Sequence, residues 1–150
     1  MAAALATLLV AGSAVSPAAA AGKQVCLAER DQDVFRVRAL QSKLMVAALA
    51  CEQREYYNSF VRQHASELSE HGKALRGYFI RVHGKSGEKE LNRFVTALAN
   101  EHSQANIDNR DAYCRSALAA FEELVGSRRS DIGTVSRRHE EQLEVLPRRC

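Results

Sequence analysis

Three histidines and one glutamate are the residues of this chain best suited to hold a metal ion. His64 and His71 are seven residues apart, Glu67 lies one helical turn from each, and His102 occupies a similar position in a later segment. Imidazole and carboxylate groups together can ligate a transition metal, and helical bundles build such sites between facing helices. The same spacing is also typical of histidines at the edge of a core that bond to neighbouring backbone or side-chain groups. The sequence leaves both interpretations open.

A non-covalent haem is a further possibility for these positions, with His102, His71 or Met45 as axial ligands. The spacing does not select among the three. The chain has no Cys-x-x-Cys-His sequence for covalent haem attachment and no paired Glu-x-x-His sequences for a di-iron centre. We therefore predict no cofactor, with a metal- or haem-binding bundle as the alternative.

Two segments resemble catalytic motifs but lack an essential residue. Gly84-Lys85-Ser86 is similar to the end of a phosphate-binding loop, but the required glycine five positions before Gly84 is replaced by Phe79. The sequence from His139 is similar to a zinc-protease helix, but Leu143 stands where the second histidine is needed. The sequence therefore predicts a protein that is not an enzyme.

The first twenty residues, MAAALATLLVAGSAVSPAAA, contain no charged residue and no histidine. An apolar run that ends in small residues, here Ala18-x-Ala20, is typical of a cleaved secretory signal peptide. A membrane helix needs about 20 strongly apolar residues, whereas this segment contains glycine, serine and Pro17. We expect cleavage after Ala20 or Ala21, a mature domain over residues 21–150, and a periplasmic or secreted protein.

The mature chain is predicted to be all-α. No proline occurs between Pro17 and Pro147, and the intervening residues are rich in helix formers. The first helix is predicted over Asp31–Glu52, capped by Asp31 or Asp33, and the second over Gln53–Val82. The stripe that the first helix buries is Val37, Leu40, Leu44, Ala48 and Cys51.

The second half of the chain predicts two further helices and a short fifth. The third helix begins near Glu88 and ends in the polar stretch Asn106–Asp111, and the fourth ends at Gly126. Residues 127–150 are predicted as a basic tail or a short helix over Asp131–Leu146. Because short connections make consecutive helices antiparallel, we predict an up-down-up-down bundle of about four helices with a C-terminal helical tail.

Four cysteines permit three disulfide pairings, and the predicted topology distinguishes among them. The first helix lies between Cys26 and Cys51 and holds its ends about 30 Å apart, whereas a disulfide needs Cα atoms within about 7 Å. Cys51 ends the first helix and Cys114 begins the fourth, so both belong at the same end of the bundle. We predict Cys51–Cys114 and Cys26–Cys150 as structural disulfides, since export and the absence of Cys-x-x-Cys disfavour metal or redox roles.

The charge pattern limits the kinds of partner. The formal net charge is +3, and acidic and basic residues are interspersed through the middle of the chain. Nucleic-acid binding requires a concentrated basic face, and arginine pairs occur only near the C-terminus. We expect no nucleic-acid partner and a solvated tail. The partner class that these observations leave open is an envelope component or another periplasmic protein, and after signal cleavage no part of the chain should span a membrane.

Four segments combine apolar packing positions with a cysteine pattern: Leu40–Cys51, Tyr57–Val61, Arg93–Val95 and Asp111–Cys114. In these segments, which extend over about half of the chain, the sequence resembles small exported helical proteins of alphaproteobacteria that have no known activity. The resemblance implies an exported helical protein and brings no catalytic residue. Together these observations predict a disulfide-braced binding or envelope-structural protein.

Overall fold

The computed structural model describes residues 26–126 and 130–150. The predicted signal peptide, residues 1–20, lies outside the described residues, as do the arginines at 128 and 129 in the predicted tail. The described part of the chain forms six α-helices: α1 (Glu29–Ala50), α2 (Arg54–Gln63), α3 (Ala65–His83), α4 (Gly87–Asp108), α5 (Arg110–Val125) and α6 (Ile132–Arg138). The all-α prediction is confirmed, since these residues contain no strand, only one isolated bridge between Leu27 and Arg149.

α1 is the central helix, and it packs against each of the other five. Its predicted stripe is buried, with Val37, Leu40, Leu44 and Ala48 all inside the protein. The consecutive helices α2 and α3 together take the place of the second predicted helix, and α4 and α5 take the places of the third and fourth. The short helix α6 lies against α1. The predicted helical bundle with a C-terminal helical tail is therefore confirmed.

The prediction of one continuous helix over Gln53–Val82 is wrong, because the helix is interrupted at His64. The backbone of His64 departs from helical angles, with φ −112° and ψ 20°. Its ring is 1% exposed and points inward, where Nε2 lies 2.9 Å from the carbonyl oxygen of Leu124. A contact with α5 thus compensates for the interrupted helix.

The start of α1 also differs from the prediction. The helix begins two residues earlier than expected, at Glu29, and no side chain caps it. Asp31 instead accepts two hydrogen bonds from Arg81 at 3.0 Å, and Asp33 accepts one from Arg36 at 2.9 Å. The two aspartates therefore bind arginines rather than the first N–H groups of α1.

The predicted polar break between the third and fourth helices is confirmed. The side chain of Asn109 accepts a hydrogen bond from the backbone N–H of Ala112 at 3.1 Å and caps α5. Gly126 follows the last residue of α5, as expected. At the turn between α3 and α4, Gly84 has φ 56°, and a Cβ atom on Gly87 would lie 2.8 Å from the Cα of Ile80. That turn therefore needs glycine at both positions.

The predicted fifth helix over Asp131–Leu146 is too long. Asp131 caps α6 by accepting from the N–H of Thr134 at 2.8 Å, but the helix ends at Arg138. The following residues, 139–150, are named here the C-terminal segment. The backbone N–H groups of Glu144 and Val145 donate to the carboxylate of Glu101 on α4, at 2.6 and 3.2 Å. The carboxylate of Glu101 thus accepts the two backbone hydrogen bonds that helical carbonyl groups would otherwise accept.

Both predicted disulfides are present. The Cα atoms are 5.7 Å apart in Cys51–Cys114 and 5.0 Å apart in Cys26–Cys150. Two disulfides indicate an oxidising compartment outside the cytoplasm. Within residues 26–126 and 130–150, none of the helices has both the length and the apolar character needed to cross a bilayer.

Candidate binding groove and buried polar cluster

The structure brings together only two of the four side chains predicted as metal ligands, His64 and Glu67. Nδ1 of His64 lies 2.8 Å from Oε1 of Glu67, and the second carboxylate oxygen of Glu67 accepts from the N–H of Ile132 at 3.1 Å. Nε2 of His64 faces the carbonyl of Leu124. Each ring nitrogen of His64 therefore already has a protein oxygen within hydrogen-bonding distance.

His71 and His102 lie elsewhere. His71 is half-buried beside a small cavity that Val37 and Gln41 of α1 also line. Nε2 of His102 lies 3.1 Å from the carbonyl oxygen of Ala39, and the ring is buried. No three His, Cys, Asp or Glu side chains of the described residues are grouped so as to hold a metal. Metal or haem binding by these histidines stays a prediction, and the contacts of His64 and His102 do not favour it.

A buried polar cluster surrounds Lys43, near the middle of α1. The side chain of Lys43 is only 2% exposed, and its ammonium group donates to Oγ of Ser116 at 2.6 Å and to the carboxylate of Glu141. The other oxygen of Glu141 lies 3.7 Å from Nδ1 of His102. The hydroxyl of Tyr113 donates to the carbonyl of Lys43 at 3.1 Å. A charge this deeply buried requires such partners, because burial of an unpaired ammonium group is costly.

Burial also controls the titration of this cluster. It lowers the pKa of His102 below its ordinary value, an effect that Glu141 opposes and Lys43 reinforces. Burial raises the pKa of Tyr113, and the nearby Glu141 carboxylate raises it further. At neutral pH the cluster therefore contains a neutral His102 and a protonated Tyr113 around the Lys43–Glu141 ion pair. A cavity of about 10 Å³ adjoins Lys43 and His102, close to the size of one water molecule.

A larger groove lies between the start of α1 and the C-terminal segment. Its volume is about 560 Å³, within the range of small-molecule sites. It is lined by Leu27, Gln32, Phe35 and Arg36 on one side and by Glu140, Glu141, Gln142, Leu143, Leu146, Pro147, Arg148 and Arg149 on the other. The residues that wall the groove are thus about half apolar and half polar or charged. We name this feature the terminal groove.

The terminal groove depends on the attachment of the C-terminal segment to the start of α1. Cys26–Cys150 joins the residues before α1 to the C-terminal segment, and the N–H of Leu27 donates to the carbonyl of Arg148 at 2.8 Å. Glu140 accepts from Nε of Arg36 at 3.0 Å and also from Arg149. These contacts fix one wall of the groove against the other.

Sequence reasoning missed both the Lys43 cluster and the groove. A signal for Lys43 was available, because it lies three residues after Leu40 and four before Ala47, two buried positions of α1. Its partner Glu141 is 98 residues away in the chain, and a spacing pattern cannot predict that contact. Comparison with models of protein families, with curated proteins and with solved structures found no match for this chain.

Proposed function

We propose that this chain is an exported, disulfide-braced helical protein that acts by binding rather than by catalysis, in the periplasm or outside the cell. The single observation that carries the proposal is the terminal groove, which is held closed on one side by the Cys26–Cys150 disulfide. The volume of the groove, about 560 Å³, is within the range of small-molecule sites. A purely structural role in the cell envelope is the alternative.

The walls of the groove support a binding role because they are preorganised. The Arg36 side chain donates to Gln32 and Asp33, each at 2.9 Å, and to Glu140 at 3.0 Å. Opposite it, Leu143 and Leu146 pack against the buried cluster that contains Phe35. A ligand that enters such a groove has little side-chain ordering to impose on the protein, which favours affinity.

Native mass spectrometry of the full chain, purified without denaturation from a host that exports it, tests the proposal. We expect a non-covalently bound small molecule on the wild-type protein. Gln142 is an exposed residue of the groove lining, and the larger indole ring of Gln142→Trp should fill the terminal groove and displace that molecule. Gln104→Trp adds the same ring on the exposed face of α4, away from the groove, and should retain it.

Two results would contradict the proposal. One is a wild-type protein with nothing bound, as the structural alternative expects. The other is equal occupancy in the wild-type and Gln142→Trp proteins, which would place the bound molecule elsewhere. Circular dichroism of both variants checks that the helices are intact.

The periplasmic or secreted location is tested separately, by fractionating cells of the exporting host. We expect the chain to appear outside the cytoplasm, with a mass that corresponds to cleavage after Ala20 or Ala21 and with all four cysteines oxidised. A full-length chain with free thiols in the cytoplasm would contradict this part of the proposal.

A further inference from the structure

We infer that the ligand of the terminal groove is a small organic anion with an apolar body, such as a medium-chain carboxylate, whose charged group binds at Arg148. This inference rests on the proposed binding function and adds the chemical class of the ligand. It follows from the hydrogen-bonding groups that the groove still offers after its internal contacts are made.

The two carboxylates that line the groove are already paired with cations of the protein. Glu140 accepts from Arg36 and Arg149, and Glu141 accepts from Lys43, whose ammonium group lies behind the groove wall. Each carboxylate is thus neutralised by a cation of the protein. A cationic ligand would have to displace one of these partners before it could bind.

Donors, by contrast, remain available. Arg36 can only donate, so the atom of Gln32 that faces it at 2.9 Å is the carbonyl oxygen, and the amide N–H groups of Gln32 are left for other acceptors. Arg148 is exposed and makes no ion pair with any residue in the described part of the chain. The lining contains three arginines and two glutamates. A groove with spare donors and an excess of positive charge is complementary to an anion.

The apolar residues of the groove indicate that the rest of the ligand is apolar. Leu143, Leu146 and Pro147 are half-buried, so part of each surface still faces the groove. The buried Leu27 and Phe35 lie on the opposite side. A simple inorganic anion would leave this surface in contact with water, whereas an alkyl chain would cover it.

Isothermal titration of the oxidised mature chain with octanoate, 1-octanol and inorganic phosphate tests the inference. We expect saturable one-to-one binding of octanoate, with octanol and phosphate each at least about tenfold weaker. Arg148→Gln should weaken octanoate binding by about threefold to tenfold through loss of a charge-assisted hydrogen bond. Arg148→Lys keeps the charge and should retain most of the affinity.

Arg115→Gln is the matched control, because it removes one exposed arginine of α5 that does not line the groove. It should leave octanoate binding unchanged. The inference is overturned if octanoate does not bind, if octanol binds as tightly, or if Arg148→Gln has no effect. Recovery of a neutral molecule that Gln142→Trp displaces would also overturn it, yet would leave the proposed binding function standing. The two proposals can therefore fail separately.

Discussion

The two disulfides fix opposite ends of α1, and they do so in different surroundings. Cys51 follows the last residue of α1, and Cys114 lies within α5, so that bond joins one helix to another in a half-buried position. Cys26 and Cys150 are both exposed and lie outside helices. We name these regions the helical end and the terminal end of the bundle.

The surroundings of the bonds suggest different roles for the two ends. At the helical end, the amide of Gln53 donates to the carbonyl of Cys114 at 3.2 Å, and Arg110 donates to the carbonyl of Ala50. These contacts reinforce the disulfide between helices that already pack together. At the terminal end, the disulfide holds a non-helical segment over a groove and a buried ion pair. The first end should therefore contribute most to global stability, and the second to the shape and charge of the groove.

The largest expected effect is loss of the disulfide at the helical end. Cys51→Ala combined with Cys114→Ala opens a loop with a sequence separation of 63 residues. In the chain-entropy model this lowers the free energy of unfolding by about 4 kcal/mol. Urea denaturation followed by circular dichroism measures it. A loss below about 1 kcal/mol would show that the helical end does not depend on its disulfide.

The pairing of the cysteines could be predicted from the sequence because it follows from coarse topology. Once α1 separates Cys26 from Cys51, and short turns make the helices antiparallel, Cys51 and Cys114 must share an end. The buried stripe of Val37, Leu40 and Leu44 could be predicted equally well, since it depends on helical periodicity alone.

The terminal end could not be predicted in the same way. The course of the C-terminal segment depends on Glu101 accepting two backbone N–H groups and on Glu141 reaching Lys43. Both contacts join residues distant in sequence, and they replace the local helix that composition favours. The break at His64 has the same origin, because the carbonyl that it contacts belongs to Leu124.

The next largest effect concerns the buried ion pair beneath the C-terminal segment. Glu141→Gln leaves the buried ammonium of Lys43 without a carboxylate, and we expect a loss of about 3 kcal/mol in the free energy of unfolding. Lys43→Met leaves Glu141, whose side chain is 34% exposed and can be hydrated, so we expect a loss of about 1 kcal/mol. Urea denaturation of both variants tests this asymmetry. Equal losses would contradict the expected asymmetry, because the two charges would then cost the same when left without a partner.

A smaller effect is expected from the disulfide at the terminal end. Cys26→Ala combined with Cys150→Ala opens a separation of 124 residues, for which the chain-entropy model gives about 5 kcal/mol. We expect only about 1 to 2 kcal/mol, because the non-helical residues around Cys26 and Cys150 also gain entropy in the native state when the bond is removed, which offsets part of that loss. Hydrogen exchange should become faster in residues 143–150 and stay slow in α5. Uniformly faster exchange would contradict the division between the two ends.

The smallest expected effect is a dependence of the free energy of unfolding on pH, which His102 causes in the cluster beneath the C-terminal segment. Burial lowers the pKa of His102 below 6.5 in the folded protein, and the surrounding Glu141, Lys43 and Glu101 modify that shift. Between 6.5 and the lower folded value, the unfolded chain binds more protons at this position. Stability must therefore fall as the pH is lowered, by at most about 0.7 kcal/mol between pH 7 and pH 6 for one group.

His102→Gln tests this dependence, because the amide nitrogen of glutamine can still donate to the carbonyl of Ala39 but does not titrate. We expect urea midpoints of the variant to change less than those of the wild-type protein between pH 7 and pH 6. His71→Gln, a half-buried histidine outside the Lys43 cluster, should preserve the wild-type dependence. If His71→Gln rather than His102→Gln flattened the profile, the pH sensitivity would arise between α1 and α3. The terminal end would then be distinguished from the helical end by its disulfide and groove, and not by its titration.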